Sequence, residues 1–144
     1  MKPLFPVIFI LLSAQGFSKL KLPHIFGSQM VLQRDKPARI WGWAETEKEI
    51  AITFADQKKS IVSGKDGKWE ISLDPMPANA TGQTLKIISE DHSIILDDVL
   101  LGDVWICGGQ SNMEWRLRSS RDADIEIPSA RYPAIRFIRI EPEG

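Results

Sequence analysis

One short segment of the chain has residue types and spacing suited to nucleophilic chemistry. An apolar run, Val104-Trp105-Ile106-Cys107, is followed by Gly108-Gly109 and then Gln110-Ser111-Asn112-Met113. Two consecutive glycines let a backbone bend sharply and approach a ligand closely. A serine placed just past such a bend, beyond the carboxyl end of a buried strand, stands where open α/β sheets bind ligands. The N–H groups after it can point at a developing oxyanion. From placement alone, a nucleophile and a plain turn serine are equally good readings of Ser111. A serine also needs a base to take its proton. The histidines are His24 and His92, both upstream of Ser111. His24 falls in an N-terminal β segment and His92 in the surface turn Glu90-Asp91-His92-Ser93. Either serves only if the β region folds onto the edge of the sheet that carries the serine. The single cysteine, Cys107, lies within the apolar run and reads as a buried, inert thiol with no internal disulfide partner. No Cys/His group has metal-ligand spacing.

The elements that must position this segment fall into two kinds. Residues 19–98 read as β structure. Apolar runs recur at Met30–Leu32, Ala38–Trp43, Glu49–Phe54, Lys59–Val62, Trp69–Leu73, Leu85–Ile88 and Ile94–Leu96. Ile50, Ile52 and Phe54 alternate with other residues, so they share one face. Lys65-Asp66-Gly67-Lys68 is a short-hairpin signal. Several short strands at this spacing predict a small antiparallel sandwich. From residue 99 the pattern changes. Val99 to Cys107 is a long apolar stretch with little alternation, as in a strand buried on both faces of a parallel sheet. A helix is predicted from about Ser120, with Ser119 as N-cap and Asp122 completing a capping box, and Pro128 ending or breaking it. Ile135–Ile140 reads as a further strand. Strand, loop, helix and strand make a βαβ unit that opens an α/β domain over residues 99–144. Two strands and one helix cannot cover a parallel sheet on both faces, so the sequence is expected to be a fragment of a longer enzyme.

Residues 1–18 stand apart. A positive start, the apolar run Leu4–Leu12 interrupted by Pro6, and the small residues Ser13, Ala14, Gly16 and Ser18 have the layout of a secretory signal peptide. Cleavage fits after Gly16 or after Ser18, and the alternative is an uncleaved anchor. The run is shorter than the roughly 20 residues a spanning helix needs. The expected location is therefore secreted or periplasmic, without stable membrane insertion. A formal net charge of -1 leaves no basic excess for a phosphate backbone, which argues against nucleic acid as a partner.

Gly109-Gln110-Ser111-Asn112-Met113 is not the Gly-x-Ser-x-Gly elbow of α/β-hydrolases, because Met113 stands where the second glycine belongs. It resembles the nucleophile block of the sialate O-acetylesterase family, a branch of the SGNH hydrolases. Three further segments resemble that family in the same order. They are Leu22–Phe26 with Met30–Arg34, then Pro37–Ala44 with its Trp41-Gly42-Trp43-Ala44, then Tyr132–Arg136. The resemblance implies a flavodoxin-like α/β (SGNH hydrolase) domain after an all-β, sandwich-like N-terminal domain. It implies hydrolysis of O-acetyl esters on sialic acid or related sugars, with acetylxylan-type chemistry of the same superfamily as the alternative. Ser111 would be the nucleophile and its backbone N–H an oxyanion donor. Gln110 would orient a loop or donate to substrate, and Gly109 and Asn112 would shape the turn. Serine acyl transfer of this kind needs no cofactor. The family's Asp-x-x-His pair lies near its C-terminus, so the fragment by itself is expected to be inactive.

Other residues carry weaker signals. Trp41 and Trp43 lie two apart and share a strand face, which suits a sandwich core better than a sugar-stacking platform. A carbohydrate-binding β module without chemistry of its own is the rival reading of residues 19–98. Trp115 suits the lining of an acetyl pocket or packing under the loop equally well. Arg116, Arg118 and Arg121 read as a solvated loop rather than a carboxylate clamp. Asn79-Ala80-Thr81 is a glycosylation sequon.

Overall fold

The computed structural model describes residues 20–90 and 92–140, without the side chain of Asn112. The expected leader, residues 1–18, lies outside the described residues.

Seven strands come first: β1 (Val31–Gln33), β2 (Ala38–Trp43), β3 (Glu49–Phe54), β4 (Gln57–Val62), β5 (Lys68–Leu73), β6 (Asn79–Ser89) and β7 (His92–Gly102). They build a five-stranded sheet in the order β1-β7-β6-β3-β4 and a two-stranded sheet β2-β5. Neighbours are antiparallel except β1 and β7, which run parallel with Val31 opposite Leu100 and Gln33 opposite Gly102.

Alternation decides the core. Along β3 and β5 the buried positions are Ile50, Ile52 and Phe54, and Trp69, Ile71 and Leu73. Ile40 joins from β2, Leu85 and Ile87 from β6, and Leu96, Val99 and Leu101 from β7. These residues from both sheets form one cluster, so the domain is sandwich-like, with each sheet closing the other's apolar face. The buried Ser63 is satisfied: its Oγ accepts from the Lys48 N–H at 3.0 Å and donates to the Glu45 carbonyl.

The Asp66-Gly67 turn exists, but it is no hairpin. It carries the chain from β4 in the large sheet to β5 in the small one, and β5 pairs with β2 instead. Gly67 sits at φ 75°, where a side chain is strained, and a Cβ would come within 2.5 Å of the Ala44 carbonyl oxygen. The Lys68 N–H donates to Asp66 Oδ1 at 3.1 Å, and this bond holds the Asp66 carboxyl below its ordinary value.

The expected α/β arrangement is not built by the described residues. β7 runs through the 98/99 boundary drawn from the sequence and belongs to the sandwich up to Gly102. Residues 103–110 continue without ladder pairing. Beyond them come two 3-10 turns, Ser111–Glu114 and Leu117–Ser119, and one short helix, α1 (Ala123–Ser129). Residues 135–140 form no strand. A strand buried on both faces needs paired neighbours and covering helices, and the described residues after Gly102 provide neither. Ser119 closes the second 3-10 turn, so the N-cap falls to Asp122, at φ 59° and without a side-chain cap bond. Pro128 lies in the last turn of α1, one residue before its end.

Phe54 is fully buried where the sheets meet. Phe54→Ala should destabilise the protein by about 3–5 kcal/mol, through lost transfer energy and the cavity left behind. Urea unfolding at constant slope measures this, and a loss below about 1 kcal/mol would remove Phe54 from the core.

Candidate active site

The segment that carries Ser111 leaves the sandwich at Gly102, and two adjacent residues at the end of β1 hold it there. The Arg34 N–H donates to the Gly102 carbonyl at 2.9 Å, extending the parallel ladder. The Val104 N–H donates to Gln33 Oε1 at 2.9 Å. Arg34 Nε and Nη2 reach Asp103 Oδ1 and Oδ2 at 3.0 and 3.4 Å, while Nη1 reaches Asp35 Oδ2 at 2.8 Å. The Asp103 carboxylate, hydrogen-bonded to the guanidinium, raises the Arg34 pKa further above its already high ordinary value.

From Val104 the chain runs to Gln110, whose carbonyl accepts from the Met113 N–H at 2.9 Å. That bond folds Gln110 to Met113 into a tight turn, and Ser111 opens it with its side chain exposed. The exposed Met113 side chain folds back over Gly109 and would have to shift to admit a side chain at that position. A Cβ there would sit 2.7 Å from Met113 Cγ. Among the described residues no side chain hydrogen-bonds to Ser111, and neither His24 nor His92 is joined to it. The structure thus brings Gln110, Ser111 and the backbone of Asn112 into one turn, with Gly109 just before it, and leaves the serine open to solvent.

No family model matches the chain. Sialate O-acetylesterases from Pongo abelii and Homo sapiens are each 30% identical to it over 128 aligned positions, covering 80% of this chain. A crystal structure of a carbohydrate acetylesterase from Xanthomonas citri superposes with a TM-score of 0.75 at 32% identity, over 79% of this chain and 26% of that one. The chain is sialate O-acetylesterase-like over the stretch it shares with these proteins. It spans about a quarter of the curated relatives it matches, 24% of their length.

Several residues of the chain lie elsewhere than the sequence predicts. Cys107 is exposed rather than buried, because the run that contains it lies off the sandwich. Its neighbours Trp105 and Ile106 are 83% and 98% exposed. Trp41 and Trp43 are not core residues. They point outward from the two-stranded sheet at 39% and 40% exposure, with Phe26 edge-on to Trp41 at 4.7 Å between ring centroids. Trp115 is exposed and donates from Nε1 to Ser120 Oγ at 3.2 Å. Arg116, Arg118 and Arg121 lie in solvent, as a charged loop should. Arg136, which the sequence places in a strand, instead donates to the Asp98 carbonyl and to Asp98 Oδ2, tying the outer segment back to β7. Sequence reasoning missed the contacts of Gln33 and Arg34. Arg34 and Asp103 lie 69 residues apart, and no local pattern joins them. Among the described residues, no three His, Cys, Asp or Glu side chains converge as a metal site would require.

Native-state labelling reads the position of residue 107 directly. In the 144-residue chain, Cys107 should react with a thiol reagent about as fast as a free thiol does. Protection until the protein is unfolded would return the run to a packed interior.

Proposed function

We propose that the intact protein is a carbohydrate O-acetylesterase and that Ser111 is its nucleophile. The observation that carries this reading is an exposed serine opening a glycine-preceded turn, in a chain of acetylesterase kinship. The proposed substrate is an acetylated sugar of the sialic acid type.

The Ser111 hydroxyl oxygen attacks the acetyl carbonyl carbon as a base takes its proton. The carbonyl oxygen becomes an oxyanion, and the Ser111 N–H is its proposed donor. Collapse breaks the bond to the sugar oxygen, which leaves as the alcohol after taking up a proton. Water then attacks the acetyl-serine and releases acetate. No described residue supplies the base beside Ser111, and the family resemblance assigns it to an Asp-x-x-His pair. Gln110, an amide where most SGNH enzymes carry an acid, takes no proton in this scheme.

A second reading, a glycan-contacting β module, is favoured by the outward pair Trp41 and Trp43. Two indole faces on one strand side, flanked across the ladder by Glu70 and Lys68, suit stacking on a pyranose ring with polar contacts at its rim. The two readings are compatible, since binding and chemistry would use different faces.

Ser111→Ala in the intact protein should lower acetate release from O-acetylated sialic acid by at least about three orders of magnitude, with glycan binding retained. Unchanged release refutes the nucleophile assignment, and a parallel assay on acetylated xylan separates the two substrate types. Trp41→Ala and Trp43→Ala should each weaken glycan retention in affinity electrophoresis several-fold. Equal mobility of both variants and the parent removes the platform.

A further inference from the structure

We infer that Gln33 and Arg34 are positioning residues for Ser111, holding the chain at the point where it leaves the sandwich. This inference rests on the reading of Ser111 as nucleophile.

The parallel ladder between β1 and β7 ends at Gln33 opposite Gly102. Backbone pairing alone would release the chain there. Instead the Gln33 side-chain amide supplies one more rung. Its Oε1 accepts from the Val104 N–H at 2.9 Å, while its Nε2 donates to the Arg34 carbonyl at 3.2 Å. An amide can do both, because it carries an acceptor and a donor on one planar group. Arg34 then grips the residue between, with two guanidinium nitrogens on the two oxygens of Asp103. A planar fork on a carboxylate fixes direction as well as distance. Gly102, Asp103 and Val104 are therefore each tied, by different bonds, to one two-residue stretch.

The anchor sets where the segment that carries Ser111 starts and in which direction it leaves. Ser111 lies seven residues past Val104. An extended chain rises about 3.3 Å per residue, so a segment of that length held straight would reach ~23 Å, and a ~5° error at its base would move its far end by ~2 Å. Misplacing a reacting group by about 1 Å can cost 10²-fold in rate. By contrast, an ion pair this exposed does little for global stability. A pair that sets direction should thus show in turnover and hardly in the melting temperature.

The test uses the intact protein and initial rates of acetate release from O-acetylated sialic acid, with thermal melting of every variant. Arg34→Ala and Asp103→Ala should each lower kcat roughly tenfold with KM and Tm nearly unchanged. The double variant should be no slower than either single one, since both remove the same contact. Arg34→Lys, which keeps the charge but not the fork, should recover part of the rate. Gln33→Glu, which keeps the acceptor and loses the donor, should fall between the parent and Gln33→Ala. Singles within twofold of the parent, additive losses in the double, or a rate loss that tracks Tm would each overturn the inference. Ser111→Ala runs alongside as the control. Release that survives in that variant refutes the nucleophile itself. Release lost there, together with full activity in Arg34→Ala, refutes only the positioning role.

Discussion

Everything in the described fold depends on the apolar faces of two unequal sheets covering each other. A two-stranded sheet has no independent stability in water. β2 and β5 persist because Ile40, Ile71 and Leu73 are buried against Ile50, Ile52, Phe54 and Ile87 of the larger sheet. The larger sheet in turn would expose a continuous apolar face without them. This mutual dependence makes the sandwich one cooperative unit rather than a sheet with a hairpin attached. The outer face of the small sheet carries the two outward tryptophans, of which Trp41 packs against Phe26.

Much of the sandwich was legible from alternation. The ranges expected for β2 and β3 are the ranges found, and the period-2 pattern of Ile50, Ile52 and Phe54 gave the buried face correctly. Pairing was less legible. The β3–β4 hairpin turns through Ala55-Asp56, which carries no glycine to mark it, while the marked Asp66-Gly67 turn changes sheets. The faces of β2 were inverted for a packing reason. Bulk suggests that Trp41 and Trp43 point inward, yet Gly42 does. A Cβ at 42 would come within 2.2 Å of the Lys21 carbonyl oxygen and 3.0 Å of the Trp69 ring, so the space is already filled by neighbouring segments. A single sequence position cannot reveal that another residue has taken its volume.

The site was legible in part for a related reason. Two glycines before a serine suggest a bend at the glycines, whereas the turn found lies just past them, from Gln110 to Met113. The apolar run before it looks like a buried strand because its composition suits one, but a strand is a relation between segments. Without a partner beside it, Val104–Cys107 has strand-like composition and no ladder. The contacts made by Gln33 and Arg34 were illegible for the same reason, since their meaning lies in what stands opposite them.

The parallel contact of β1 with β7 has a consequence for how the molecule is made. Among the described strands β1 is synthesised first and its partner last, with Val31 opposite Leu100. The early strand must wait for five others to emerge, and a three-residue strand cannot hold its place meanwhile. Closing so long a loop is slow and comes late. The bend that presents Ser111 is translated immediately after the closing strand, and its anchor on Gln33 and Arg34 forms only once β1 and β7 have met. A nascent molecule would thus acquire its exit geometry in the same step that completes its core.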